Sequence, residues 1–221
     1  MSELEMLAAE IAGCTRCLLH RGRTKAVPGE GPEHAEVMFI GEAPGFHEDQ
    51  QGRPFVGAAG QFLEELLADI GLTRQQVFIA NVIKCRPPGN RDPLPEEIEA
   101  CKPYLDRQIE LLQPKLVVTL GRFSMARAFP NARISHIHGQ PRKIGGVLYY
   151  PMYHPAAALH QPSLRRDVEE DMRRIPELLK QAAHMAESSL PPEAEQLRLF
   201  LGNCSPSRRF GLQIITCGRV G

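Results

Sequence analysis

The sequence carries no excess of charge of either sign and no long apolar run. Lysine plus arginine and aspartate plus glutamate number 26 each, which gives a formal net charge of zero at pH 7. Net charge alone therefore indicates no polyanionic partner, although a local basic face on a neutral protein can still bind phosphates. No apolar stretch approaches the ~18–20 residues of a membrane span, and the opening MSELEMLAAE lacks the basic and apolar regions of a secretory signal. These absences predict a cytoplasmic protein with no membrane partner.

Repeats and the usual phosphate-binding motifs are missing as well. The sequence has no internal repeat, no long low-complexity segment, no G-x-G-x-x-G and no Walker lysine after its glycine-rich loop. Its 221 residues, 43% hydrophobic and 24% charged, suit one sizeable soluble core and are few for two full domains. A proline break and the loss of any sustained period after about residue 188 predict a domain of residues 1–187 followed by a flexible tail of residues 188–221.

Helical and strand-like patterns alternate along the predicted domain. Four short apolar runs predict buried strands: AEVMFIG, VFIANV, KLVVTLG and GVLYYPMYHP. Helices are predicted for residues 2–12, 59–70, 95–113, 122–129 and 165–187. This alternation predicts an α/β protein in which a parallel sheet is covered on both faces. Ligands bind at the carboxyl ends of such strands, where this sequence has GEAPG, Asn81, GRFS and HPAAAL.

Four of the six cysteines lie in the predicted domain. Cys14 and Cys17 form a C-x-x-C pair, Cys85 follows the second strand, and Cys101 lies on the next helix, whereas the other two belong to the tail and stay unassigned. In a cytoplasmic protein such a set indicates metal or redox chemistry more than disulfides. Three interpretations stay open on spacing alone: an incidental pair, a thioredoxin-like redox pair, or four thiolates that hold zinc or an iron–sulfur cluster.

The polar features at the predicted strand ends each have a simple structural explanation. The segment GEAPGFHEDQQGRPFVGAAG is typical of a solvated, glycine-rich loop between a strand and a helix. Asn81 can cap a turn, and a single histidine such as His154 is more often structural than catalytic. None of these features identifies a function by itself.

Taken together and in order, the motifs resemble a known family. C-x-x-C near the start, GEAPG, EDQQGRPFVGAAG, NVIKCRPP and HPAAAL are similar to those of family 4 uracil-DNA glycosylases, the iron–sulfur members of their superfamily. The resemblance runs from residue 1 to about residue 179. It implies a three-layer α/β/α sandwich with a central four-stranded parallel sheet. It also implies hydrolysis of the N-glycosidic bond of deoxyuridine in DNA, and a [4Fe–4S] cluster held by Cys14, Cys17, Cys85 and Cys101.

The resemblance gives roles to the polar residues at the strand ends. Phe55 would stack on a flipped-out uracil, Asn81 would read the edge of the base, and His154 would donate to its O2 atom as negative charge develops. The most studied branch of the superfamily has a water-positioning aspartate where this sequence has Ala43, so the adjacent Glu42 or the backbone is expected to hold the water. Glu48 would exclude the methyl group of thymine. The implied catalytic residues are Glu42 and His154, and the implied uracil-binding residues are Gly41, Glu42, Ala43, Glu48, Phe55, Asn81 and His154.

Uracil-containing DNA, single- or double-stranded, is the implied substrate. Lys84 and Arg86, which flank Cys85, and Arg165 after the HPAAAL loop are candidates for phosphate contacts, although a plain solvated loop would carry the same charges. Leu159 is a candidate wedge into the gap left by the flipped base. An iron–sulfur cluster between the first helix and this loop would anchor the loop against DNA.

The tail contains a pentapeptide, QLRLF, that resembles the sliding-clamp ligand of bacterial repair and replication proteins. Its expected contact residues are Gln196, Leu197, Leu199 and Phe200, although an incidental apolar turn is the simpler interpretation. We further expect a monomer that works on the nucleoid in the cytoplasm.

Two other classes of function keep the same fold. A non-catalytic iron–sulfur protein could bind nucleic acid or sense redox state, but such a binder needs no base reader paired with an anion stabiliser such as Asn81 with His154. A relative that forms a covalent adduct with DNA would carry a basic insert and lose the cysteine pattern. Here SHIHGQPRKIGG lacks an arginine-rich insert, and Cys85 is present.

Overall fold

A mixed five-stranded sheet forms the centre of the computed structural model, which describes residues 1–187. The predicted tail, with its pentapeptide from Gln196 to Phe200, lies outside the described residues. The strands run in the order β2-β1-β3-β5-β4 across the sheet. They are β1 (Val37–Gly41), β2 (Phe78–Asn81), β3 (Leu116–Leu120), β4 (Arg142–Ile144) and β5 (Val147–Met152).

Helices precede, connect and follow these strands. Within residues 1–187 none of them is both long and apolar enough to cross a membrane. The first begins at a reciprocal cap, in which the Ser2 hydroxyl accepts from the N–H of Glu5 and the Glu5 carboxylate accepts from the N–H of Ser2. The α-helices are α1 (Glu3–Gly13), α2 (Phe46–Gln51), α3 (Ala58–Asp69), α4 (Pro95–Leu112), α5 (Arg122–Ala126), α6 (Ile134–Ile137), α7 (Pro155–His160), α8 (Arg165–Arg173) and α9 (Ile175–Glu187).

Both faces of the sheet are covered by helices, which gives the three predicted layers. Phe39 and Val118 pack with apolar side chains of α3, α7, α8 and α9. Their neighbours Met38 and Val117 face the opposite side and pack with α4. This alternation follows from the two-residue period of a strand, and burial on both sides explains the continuous apolar runs in the sequence.

The carboxyl ends of four parallel strands meet at one edge of the sheet. β1 pairs in parallel with β2 and β3, and β3 pairs in parallel with β5. Gly41 and Asn81 are in register at the ends of β1 and β2, and Leu120 and Met152 are in register at the ends of β3 and β5. The segments GEAPG, GRFS and HPAAAL therefore begin side by side, as the sequence predicts.

The prediction of a four-stranded, wholly parallel sheet is wrong by one strand. β4 pairs antiparallel with β5, with Ile144 opposite Val147. The two-residue turn between them consists of Gly145 and Gly146, whose φ angles of 57° and 88° suit a tight hairpin. All three residues of β4 are exposed, so this strand leaves no apolar run in the sequence.

The long last helix is also divided. The sequence predicts one helix over residues 165–187, whereas α8 ends at Arg173 and α9 begins at Ile175. Pro176 falls in the first turn of α9, where its missing N–H costs no helical hydrogen bond.

Candidate active site and cysteine cavity

A cavity of about 360 Å³ opens where the parallel strands end. This volume lies within the range of small-molecule sites, and we call the feature the strand-end cavity. Its wall is formed by the segments that follow β1, β2 and β5 together with the start of α3. The lining residues are Glu42, Ala43, Pro44, Gly45, Glu48, Phe55, Ala59, Asn81, Pro87, Asn90, Arg91, His154, Ala156, Ala157 and His160.

Asn81 reaches this cavity with a free acceptor atom. The residue is only 2% exposed, and its Oδ1 atom is buried without a hydrogen-bond partner in the protein. A β-carbon at Gly41 would lie 2.5 Å from that Oδ1 and 2.7 Å from the Phe55 ring. Glycine at position 41 therefore makes room for both side chains. Buried polar atoms are nearly always satisfied, so an orphaned acceptor in a cavity indicates a ligand that donates a hydrogen bond.

Phe55 is held in a backbone conformation that non-glycine residues rarely adopt. Its φ angle is 53°, and a guanidinium N–H of Arg74 donates to its carbonyl oxygen at 2.8 Å. The same guanidinium donates to the Pro54 carbonyl and forms ion pairs with Glu30 and Glu64. Because the Arg74 side chain is only 8% exposed, these bonds are shielded from water. The Phe55 ring is thus set in place by contacts behind it.

His154 lines the cavity, and one of its ring nitrogens accepts from a backbone N–H. It precedes α7, and its Nδ1 accepts a hydrogen bond from the N–H of Ala156 at 3.1 Å. Burial lowers its pKa to about 4, although the Glu48 carboxylate acts in the opposite direction. The ring is therefore neutral at pH 7, and since Nδ1 is an acceptor the proton is on Nε2. The ring stacks with Phe55, with centroids 5.5 Å apart and planes inclined by 22°.

Two acidic side chains of the cavity differ in how they are bound. Burial raises the pKa of Glu42, as does the nearby Asp92 carboxylate, whereas Arg122 lowers it. Glu48 instead accepts three backbone hydrogen bonds, from the N–H groups of Val56 and Gly57 at 2.8 Å and from that of Gly45 at 3.1 Å. Glu48 therefore ties the loop after β1 to the segment that carries Phe55, a structural role that the sequence does not reveal.

The four cysteines of the domain line a second cavity. We call it the cysteine cavity; it has a volume of about 10 Å³ and is formed by the start of the chain, the loop after β2 and helix α4. All four are free thiols. Cys14 and Cys17 are half-buried, and Cys85 and Cys101 are buried.

Burial makes Cys85 and Cys101 poor nucleophiles in the absence of a metal. It raises the pKa of Cys85, and it raises that of Cys101 to about 11, despite a hydrogen bond to Cys101 from the backbone of Lys84. A guanidinium N–H of Arg23 donates to the Cys85 sulfur at 3.2 Å. Among residues 1–187 no group of three or more His, Cys, Asp or Glu side chains is arranged around a single ion.

Lys84 is not available for DNA, contrary to the prediction. It is 1% exposed, and its ammonium donates to the Asn81 carbonyl at 2.9 Å and to Gln108 Oε1 at 2.7 Å. In the sequence it stands between two apolar residues and a proline-rich loop, so its charge alone indicated a surface position. The fold turns the side chain inward beside the cysteine cavity.

The other predicted DNA contacts lie at accessible positions. Leu159 on α7 is 44% exposed, close to the cavity-lining residue His160. Arg165 is 52% exposed, forms an ion pair with Glu169 at 2.9 Å and stacks over the Phe62 ring. Arg86 stacks over the exposed ring of Phe46 at 5.2 Å.

A third cavity, larger than the strand-end cavity, lies beside it. It measures about 440 Å³ and shares Pro87 and Arg91 with the strand-end cavity. Its other lining residues include Arg16 and Arg86 together with the exposed Leu18. We place the chemistry in the smaller cavity because Asn81, His154 and the acidic side chains converge there.

Several residues of the strand-end cavity carry no signal in the sequence. Pro87, Asn90 and His160 line it from loops or helix ends, and Arg74 acts from behind Phe55.

Comparison with known proteins agrees with this geometry. Residues 28–179 match the model of the uracil DNA glycosylase superfamily. The chain therefore belongs to the uracil DNA glycosylase superfamily.

Several similar relatives place it more narrowly. It is 50% identical over 188 residues to the type-4 uracil-DNA glycosylase of Sulfurisphaera tokodaii, which covers 80% of this chain and 86% of that protein. It is 49% identical to the type-4 enzyme of Saccharolobus solfataricus, over 81% of this chain and 88% of the relative. It is 47% identical to the type-4 enzyme of Archaeoglobus fulgidus, over 80% of this chain and 94% of the relative. Within the superfamily the chain belongs to the type-4 family.

Proposed function

We propose that this protein hydrolyses the N-glycosidic bond that joins uracil to deoxyribose in DNA and leaves an abasic site. The observation that carries the proposal is the buried, unpartnered Oδ1 of Asn81 in a cavity that Phe55 and His154 also line. A uracil ring supplies the missing donor through its N3–H. The type-4 uracil-DNA glycosylases to which the chain is similar support the same substrate.

Asn81 reads the edge of the base. Its Oδ1 accepts from uracil N3–H, and its amide N–H donates to the O4 atom. Cytosine presents an acceptor at N3 and a donor at C4, so it would leave both amide atoms buried and unpaired. Leaving a buried polar group unsatisfied costs about 1–3 kcal/mol per group, which is enough to reject cytosine strongly.

Phe55 and His154 stabilise the base as the bond breaks. The uracil ring enters from the stack of the DNA and lies against the ring of Phe55. Cleavage leaves negative charge on uracil, and the Nε2–H of neutral His154 donates to the O2 atom where that charge develops. A preorganised donor of this kind contributes roughly 3–4 kcal/mol to the barrier reduction.

Glu42 and Glu48 complete the cavity. The Glu42 carboxylate accepts from the attacking water and directs it to the sugar carbon, with the backbone at Ala43 and Gly41 shaping the wall. Glu48 excludes the thymine methyl group by holding the wall of the cavity rigid, since its carboxylate binds the N–H groups of Gly45, Val56 and Gly57. A rigid wall rejects an added methyl better than a wall that can yield.

The donor set of the cysteine cavity supports a [4Fe–4S] cluster. Four thiols line it, and the buried Lys84 and the half-buried Arg23 lie beside them, where they would balance the negative charge of thiolates. Bound there by Cys14, Cys17, Cys85 and Cys101, the cluster would anchor the first helix and the loop after Asn81, and it would keep the thiols deprotonated.

DNA is expected to cross the mouth of the strand-end cavity. Arg86 and Arg165 are accessible for phosphates, and Leu159 can enter the gap left by the flipped nucleotide. The third cavity, with Arg16 and Arg86 in its wall, continues this path on the side of the cysteine cavity. Single- and double-stranded DNA both satisfy these contacts.

The wider setting of the protein is also a proposal. We propose a monomer that works on the nucleoid in the cytoplasm and docks on the sliding clamp through Gln196, Leu197, Leu199 and Phe200. Retention of the full chain on immobilised clamp, compared with a chain that lacks residues 196–200, tests the docking. Equal retention of the two chains rules it out.

The glycosylase proposal is tested with matched oligonucleotides. Purified, iron-loaded protein is incubated with single- and double-stranded DNA that carries one uracil, cytosine or thymine at the same position, and alkali then cleaves abasic sites. We expect scission at uracil alone. Absence of scission at uracil would favour the second candidate, a non-catalytic iron–sulfur protein that binds nucleic acid.

A further inference from the structure

Lys84 is a buried cation without an acidic partner. It is fully enclosed by the protein, yet no ion pair in residues 1–187 includes it. Its ammonium meets only neutral acceptors, the Asn81 carbonyl and Gln108 Oε1. A buried ammonium without a counter-ion is costly, so an anionic group is expected close by.

The cysteine cavity supplies the place for that anionic group. Lys84 lines this cavity together with all four cysteines, and its backbone N–H hydrogen-bonds Cys101. Thiolates bound to a metal centre keep a net negative charge, which neutral thiols do not. The side chain of Lys84 therefore has a counter-ion only when the centre is assembled.

The hydrogen bonds of Lys84 also lead to Asn81, the proposed reader of the uracil edge. Asn81 contributes the carbonyl that accepts from Lys84, and its side chain carries the free Oδ1 in the strand-end cavity. Gln108 holds the ammonium from the other side and is itself fixed, because its Nε2 donates to the Pro28 carbonyl at 2.7 Å. Lys84 thus lines the cysteine cavity and hydrogen-bonds the backbone of a residue that lines the strand-end cavity.

We propose that Lys84 is a positioning residue that couples the metal centre to uracil recognition. Its charge balances the centre, and its hydrogen bond fixes the backbone of Asn81 so that Oδ1 faces the base. This inference rests on the proposed function, since it assigns Lys84 to the same uracil site. The proposal predicts one effect on the reduction potential of the metal centre and another on the binding of uracil, and the two effects are measured separately.

Two substitutions separate charge from hydrogen bonding. Lys84→Met removes both, and Lys84→Gln removes the charge but keeps an N–H donor. Loss of the positive charge disfavours the reduced centre, so both variants are expected to shift its reduction potential to more negative values. The inhibition constant of free uracil is expected to rise about tenfold in Lys84→Met, the factor for one hydrogen bond to a charged group, and by less in Lys84→Gln.

Controls and a second variant keep the experiment decisive. Lys115→Met removes an exposed lysine paired with Glu36 and is expected to change neither quantity. Gln108→Leu keeps the charge but removes one acceptor of the ammonium. It is expected to raise the inhibition constant a few-fold at unchanged potential, and it decides the matter where the Lys84 variants do not fold or hold no iron.

The following results would contradict the proposed role of Lys84. Wild-type potential and wild-type uracil inhibition in both Lys84 variants overturn the proposal. A shifted reduction potential with an unchanged inhibition constant for uracil in the Lys84 variants overturns the coupling. If only Gln108→Leu can be measured, a wild-type inhibition constant in that variant overturns the coupling as well. A wild-type protein that fails to excise uracil contradicts the proposed function instead, because its activity is measured before any variant is compared.

Discussion

The strand-end cavity and the cysteine cavity lie on either side of the short segment from Asn81 to Cys85, yet their polar groups are held differently. In the strand-end cavity two of the polar side chains are paired with backbone: Glu48 accepts three N–H groups, and His154 accepts one. One buried acceptor there, on Asn81, lacks a partner. In the cysteine cavity burial raises the pKa values of Cys85 and Cys101, so without a metal these two thiols carry no charge at pH 7.

This difference separates two ways of building a site. A cavity for a neutral, flat base is completed by the fold itself, so the donors and acceptors have their final geometry before the ligand arrives. In the proposed metal centre, thiolates would form and Lys84 would gain its counter-ion only when the metal binds. Substitutions in the first cavity should therefore change catalysis with little loss of stability, and substitutions in the second should do the reverse.

The largest expected effect on rate is at His154. His154→Ala removes the Nε2–H donor, and kcat should fall by roughly 10²–10³-fold. KM should change little, because the lost hydrogen bond strengthens only as charge develops on uracil. Single-turnover cleavage of a uracil oligonucleotide measures the rate, and thermal unfolding measures stability. His34→Ala, at an exposed position, is the control. If a loss of stability in His154→Ala explains its lower rate, the predicted difference between the two cavities is wrong.

The largest expected effect on stability is at Cys101. Cys101→Ala should yield protein with little iron, and the buried charge of Lys84 would then lose its counter-ion. Breaking a buried charge pair costs about 3–5 kcal/mol, which in a chain of this size lowers Tm by roughly 6–20 °C. Iron analysis and calorimetry measure both quantities, and Cys204→Ala in the tail is the matched control. Full iron content in Cys101→Ala would show that this thiol is not a ligand.

A smaller effect is expected at Arg74, which acts on the strand-end cavity from outside it. Without this guanidinium the positive φ of Phe55 loses its support, and such strain amounts to about 1–3 kcal/mol. Arg74→Ala should raise KM about tenfold while kcat stays near its wild-type value, since stacking on Phe55 holds substrate and transition state alike. Arg53→Ala removes the other arginine paired with Glu30 without touching Phe55, so it should leave KM unchanged. Equal KM values for the two variants would contradict the role of Arg74.

The sequence predicts the layers of the fold better than its edges. Buried parallel strands leave continuous apolar runs, so β1, β2, β3 and β5 are all anticipated within a few residues. The exposed β4 leaves no such run and is revealed only by the Gly145–Gly146 turn. The break between α8 and α9 falls inside a charged, helix-favouring stretch, where only Pro176 indicates a new helix start.

The candidate site could also be predicted from the sequence only in part. Asn81 and His154 are anticipated because parallel strands bring their carboxyl ends together, whichever side chains they carry. The direction of a single side chain is not fixed by topology, so Lys84, predicted at the surface, is buried beneath Asn81. Arg74 is missed for a related reason: its target is a backbone carbonyl, which every residue has, so no pairing pattern marks it in the sequence.

The smallest expected effect is at Glu42 and is seen in its dependence on pH. Burial and Asp92 raise the pKa of this carboxyl, so its deprotonated form, which accepts from water, is lost as pH falls through that raised pKa. The rate should therefore rise with pH on the acidic side. Glu42→Gln should flatten this rise and lower kcat less than tenfold, below the ~10²–10⁴ of a full general base, because a dissociative transition state needs only an oriented water.

Arg122 provides a second test of the role of Glu42. Its cation lowers the pKa of Glu42, so Arg122→Ala should move the acidic limb of the pH–rate profile to higher pH. His154, with a pKa of about 4, titrates in a separate and more acidic range, and its limb should persist in Glu42→Gln. Profiles of kcat for the three proteins measure both limbs. If the upper limb survives in Glu42→Gln or stays in place in Arg122→Ala, the water is held by the backbone of the loop after β1, and its attack needs no titrating carboxylate.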